Sequence, residues 1–67
     1  MKVFLVILIF GAEAIRVGPL PMDEKQCIER LPTALEPFED AWKAGRTFKV
    51  DGRPVTKSDV SAKCVVR

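Results

Sequence analysis

The chain has 67 residues, 48% of them hydrophobic and 30% charged, with a net charge of +2 and no histidine or tyrosine. This allows one domain that buries only about 60% of its unfolded surface, and so small a core rarely supplies more than roughly 3–5 kcal/mol without a staple or a partner. The composition excludes disorder, the missing histidine removes the usual zinc sets and Ser–His or Cys–His nucleophile pairs, and the net charge is too small to imply nucleic-acid binding by itself.

Residues 1–14, MKVFLVILIFGAEA, admit two readings. Lys2, the run Val3–Phe10 and Ala12-Glu13-Ala14 have the order of a secretory signal with an A-x-A-like cleavage site. Against that, the apolar run is short and leans on β-branched and aromatic residues, which favour a strand over residues 2–10. As a helix the run would reach about 12 Å, far less than the roughly 30 Å of a hydrocarbon core, so no membrane span is expected. In a strand Val3, Leu5, Ile7 and Ile9 face one way and Phe4, Val6, Leu8 and Phe10 the other. Both sets are apolar, whereas the chain offers one helical layer. One of the two faces is therefore expected to be left for a partner, either of them on the sequence alone, with Phe4, Val6, Leu8 and Phe10 as the candidate interface; covering four such side chains is worth about 6–12 kcal/mol.

Gly11-Ala12-Glu13 predicts a turn, Ala14–Gly18 a second strand, and Gly18-Pro19-Leu20-Pro21 a break. A helix starts near Met22, with Asp23 and Glu24 at its positive end and Cys27 and Leu31 one turn apart. Pro32 kinks or ends it. Thr33-Ala34-Leu35-Glu36 fits a capping box for a restart, with Pro37 in or near the first turn. Leu35, Phe38, Ala41 and Trp42 form an apolar stripe that ends at Gly45, so Leu31, Leu35, Phe38 and Trp42 are candidate core residues. Asp51-Gly52 predicts a hairpin between Phe48-Lys49-Val50 and Arg53-Pro54-Val55, and Thr56–Asp59 a single turn. Val60–Val66 then alternates, with Val60, Ala62, Cys64 and Val66 on one face and Val60 joining the candidate core. The order β-β-α-β-β implies an α+β domain over residues 1–67, a helix kinked near Pro32 packed on one face of a mainly antiparallel sheet.

Cys27 and Cys64 both fall on predicted inward faces, which favours a disulfide over two buried free thiols. Such a bridge closes a loop of about 38 residues, worth roughly 4 kcal/mol in the chain-entropy picture. Charge is divided: residues 1–42 hold four bases and seven acids, residues 43–67 seven bases and two acids. That polarity suits head-to-tail contacts between copies or docking on an acidic surface. Arg46, Lys49, Arg53, Lys57, Lys63 and Arg67 form a basic stripe, but with Phe48 as its one interleaved aromatic it reads better as edge-strand protection than as a nucleic-acid platform. Ser58 and Ser61 have no activating base, and the glycines are too scattered to cradle phosphate. The expectation is a non-enzymatic subunit without metal or cofactor that binds a protein or its own copies.

Val17-Gly18-Pro19, Cys27, the later Asp51-Gly52-Arg53-Pro54-Val55-Thr56, and Cys64 set in a chain with an apolar N-terminus resemble small open reading frames of bacteriophages and their bacterial hosts. The resemblance implies an accessory component of a phage particle, such as a capsid or tail decoration, and a virion location. The alternatives are a secreted or periplasmic disulfide-stapled binding domain processed after Ala14, and a small nucleic-acid-binding factor.

Overall fold

The computed structural model describes residues 1–67. Strand β1 (Val3–Ile9) is followed by β2 (Ala12–Leu20), helices α1 (Glu24–Glu29) and α2 (Leu31–Lys43), a short hairpin of β3 (Lys49–Val50) and β4 (Arg53–Pro54), a 3₁₀ turn at Lys57–Asp59, and β5 (Val60–Val66). The main sheet has the order β2-β1-β5 and is antiparallel throughout. This is the α+β layering the sequence predicts, a helical layer against a three-stranded sheet, with the break between the helices at Arg30, two residues before Pro32.

The sequence decides which strand is central. β1 is apolar on both faces, while β5 alternates with exposed Ser61 and Lys63. β1 supplies Val3, Val6 and Ile7, three of the five buried residues; Cys27 and Val55 are the others. Leu5 lies opposite Cys64, Ile7 opposite Ala62 and Ile9 opposite Val60, so these residues share the face on which the helices lie.

The β1–β2 turn is tighter than predicted. Phe10 (φ 54°) and Gly11 (φ 78°) are its two central residues, as in a type I′ hairpin, and the strand resumes at Ala12. β2 then runs on to Leu20, through the expected break at Gly18-Pro19. It does so as a bulged edge strand, with one register shift between Val3 and Leu5 and another between Ile7 and Leu8. Gly18 occupies the first bulge at φ 147°; a Cβ there would stand 2.7 Å from Phe4 Cδ1 and 3.0 Å from the Val3 carbonyl oxygen.

α1 opens on a capping box in which the Asp23 carboxylate accepts from the Gln26 N–H (2.8 Å) and the Gln26 side chain accepts from the Asp23 N–H (3.1 Å). Helix α2 begins at Leu31 with Pro32 in its first turn, so the predicted Thr33 cap is unused and Pro37 falls inside the helix. Pro37 removes the donor that Thr33's carbonyl would have met, but both residues are exposed and water replaces it. The helix closes on a Schellman motif, with Gly45 N–H donating to Trp42 O (3.0 Å) and Arg46 N–H to Ala41 O (2.9 Å).

The predicted core stripe needs correction. Leu31, Leu35, Phe38, Trp42 and Val60 are half-buried, and α2 has no fully buried residue. The reason is shape: the molecule measures 38 × 22 × 15 Å, and in two layers so thin a helix cannot enclose its inner stripe. Phe38, Trp42 and Phe48 instead form an aromatic cluster with centroids 5.6–6.2 Å apart, and Trp42 Nε1 donates to the carbonyl of buried Val55 (3.4 Å). Asp51 (φ 52°) and Gly52 (φ 78°) make the predicted hairpin turn, pairing Lys49 with Pro54 and Val50 with Arg53.

Candidate interaction surface

Cys27 and Cys64 are bonded, with Cα atoms 6.2 Å apart and a sequence separation of 37. Cys27 is fully buried and is the one buried residue of α1, so the bridge ties that six-residue helix to β5. This leaves the opposite side of the sheet without a helix, which makes it the candidate surface.

Alternation along β1 and β5 puts Lys2, Phe4, Val6, Leu8, Ser61, Lys63, Val65 and Arg67 on this open face. β2 adds Arg16 opposite Val6 and Glu13 opposite Leu8. Lys2 and Arg67 exchange backbone hydrogen bonds at the end of the ladder (2.6 and 2.8 Å). Arg16 donates to both oxygens of Glu13 (2.5 and 3.0 Å) while its guanidinium lies 5.6 Å from the Phe4 ring centroid.

The predicted quartet of exposed apolar side chains is thus not bare. Val6 is 1% exposed, and Phe4, Leu8 and Phe10 are half-buried. In the register Val6 lies between Arg16 and Lys63, one on each neighbouring strand and both exposed. Phe10 has left the strand for the turn, where the Arg53 guanidinium sits 4.1 Å from its ring centroid. The open face is therefore Phe4 and Leu8, partly accessible, in a frame of Lys2, Arg16, Lys63 and Arg67 with Glu13 as the one acid.

Electrostatics support this placement. The Glu13 carboxyl is held below the usual carboxylate range, first by its hydrogen bond from Arg16 and further by the charges of Arg16, Arg67 and Lys63. Arg67 and Lys63 act on it from the far strand of the sheet, in keeping with the face to which the register assigns them. Arg16 is raised in turn by its bond to Glu13. The basic frame was hidden in the sequence because Arg16 and Lys63 are 47 positions apart; strand alternation alone would have placed Lys63, but Arg16 required the register of a bulged strand.

No group of three or more His, Cys, Asp or Glu side chains is arranged to hold a metal ion, and no helix is long and apolar enough to cross a membrane. Ser58 bonds to the Thr56 hydroxyl (3.0 Å) within the cap of the 3₁₀ turn, where Thr56 N–H and Oγ1 also donate to Asp59 Oδ2 (2.9 and 2.8 Å). These bonds hold Asp59 below the usual carboxylate range, with a smaller contribution from Arg53. A shallow cavity of about 420 Å³ at one end of the sheet is lined by Met1, Val3, Met22, Asp23, Glu24 and Val66. It contains no nucleophile or base pair, and Asp23 is committed to its cap. Comparison with known proteins gives no matching family model, no matching curated protein and no matching solved structure.

Proposed function

We propose that this protein is a non-enzymatic assembly subunit that packs on a protein partner through the open face of its sheet. The observation that carries the reading is the cation-framed apolar strip of Phe4 and Leu8 on a face that no helix covers. A disulfide-stapled scaffold suits such a role, because a surface fixed in advance loses little entropy on docking. The setting implied by the resemblance to phage reading frames is a virion, where the subunit would decorate a capsid or tail. Disulfides persist on virion surfaces as they do in secreted proteins.

In its native source the full chain is expected to co-sediment with a larger particle. Leu8→Lys, checked for an intact disulfide and unchanged circular dichroism, is expected to run free at 7.5 kDa. A wild-type chain that itself runs free, or a folded Leu8→Lys chain that still co-sediments, would refute the reading.

The disulfide also favours a second reading, a secreted or periplasmic binding domain processed after Ala14. That cut would remove β1, the strand to which both β2 and β5 pair, along with three of the five buried residues. The first reading keeps the sheet whole. An intact mass from the native source beginning at Ile15 would overturn it.

A further inference from the structure

The partner of the open face has a chemistry that the molecule itself supplies. Lys2, Arg16, Lys63 and Arg67 against Glu13 give that face a net charge of +3. The helical segment, residues 23–43, holds six acids and three bases, a net charge of −3. Its exposed acids include Glu36 and Asp40, one turn apart on α2. The helices cover the other face of the sheet, so the two charged surfaces lie on opposite sides of a slab 15 Å thick.

Two open faces cannot meet each other, since each would set its four cations against those of its copy. Pairing along the free edge of β2 is also disfavoured: two bulges, Pro19 and the Glu13–Arg16 pair interrupt that edge. Accepting the open-face reading above, we propose that the open sheet face of one copy docks on the acidic outer side of the helical layer of the next, so that the chain assembles head to tail with itself. Such a contact uses different surfaces on the two copies and generates a ring where the rotation closes and a filament where it does not.

The test is sedimentation velocity of the purified, oxidised full chain across concentration and salt. Two charge-reversed variants at exposed positions accompany it, Lys63→Glu/Arg67→Glu on the sheet and Glu36→Lys/Asp40→Lys on α2. Wild type is expected to associate and to dissociate as salt is raised. Each variant alone sets like charges against each other and is expected to weaken association by on the order of tenfold or more, whereas an equimolar mixture of the two restores it. Intact mass and circular dichroism confirm that both fold. Wild type that stays monomeric at low salt overturns the head-to-tail contact, while co-sedimentation in the native source would leave the open-face reading standing. If the α2 variant associates like wild type while the sheet variant does not, the acidic layer is not the dock and the head-to-tail contact is overturned. If neither variant differs from wild type, both readings fall.

Discussion

Reduction of the Cys27–Cys64 bridge in the otherwise unaltered chain isolates the contribution of one covalent link. The link joins residues 37 apart, so the closed loop is about 38 residues long and its loss returns roughly 4 kcal/mol of chain entropy to the unfolded state. Reduction leaves two thiols that still behave as small hydrophobes, so little packing is lost with the bond. Beside a core expected to supply at most roughly 3–5 kcal/mol without the staple, that is about half of the stability. With a urea slope of about 1 kcal/mol/M for so small a chain, the midpoint should fall by about 4 M on reduction. Urea titrations followed by circular dichroism, with and without reductant at one pH, read this directly. Under conditions that retain some fold, hydrogen exchange should show α1 released first, because Cys27 is its sole buried residue. A midpoint shift below about 1 M would refute the reasoning, since it would mean that packing alone holds the helical layer on the sheet.

Two further outcomes are expected. Gly18→Ala puts a Cβ 2.7 Å from the Phe4 ring at φ 147° and should cost about 1–3 kcal/mol, more than Gly52→Ala, where φ is 78° but the space is open. Equal costs in urea unfolding would show that the Phe4 contact is immaterial. Asp59 and Glu13 are both held below the usual carboxylate range, so each contributes stability above about pH 4 that is lost as pH falls through its lowered folded value. Asp59→Asn should therefore flatten the fall in urea midpoint on acidification below about pH 5, and a variant as acid-sensitive as wild type would exclude the Thr56–Asp59 cap as a source of that slope.

How much could be read in advance depends on the range of the interaction. The hairpin at Asp51-Gly52, the close of α2 at Gly45 and the strand Val60–Val66 were legible because each is set by neighbours a few positions away. The disulfide was legible for a related reason: two periodicities, one helical and one extended, aim Cys27 and Cys64 at the same interlayer space. Boundaries governed by longer-range pairing were not. Gly18-Pro19 reads locally as a stop, yet pairing with β1 carries the strand past it as a bulge. Thr33 has the spacing of a cap, but the helix starts two residues earlier, with Pro32 supplying a ready-made first turn. The core was misjudged for a geometric reason, since apolar periodicity gives the direction of a side chain and not the depth of the layer it meets.

The same geometry bears on how the open face works. The sequence predicts a bare apolar strip left for a partner. Instead, Val6 is buried between strands that carry Arg16 and Lys63 opposite it, and the accessible apolar surface is reduced to parts of Phe4 and Leu8. An apolar face covered in this way is tolerable in water, so the free chain need not aggregate while it awaits assembly. In the proposed docking a modest apolar contact joins a charge match, so association is expected to depend on salt and to favour an acidic counterpart. Replacing Lys63 by leucine separates the two contributions: it enlarges the apolar strip and removes one charge. If charge match governs, the variant should bind its acidic counterpart more weakly and associate less specifically as salt rises; tighter, salt-independent binding to that same counterpart would show that apolar contact governs instead.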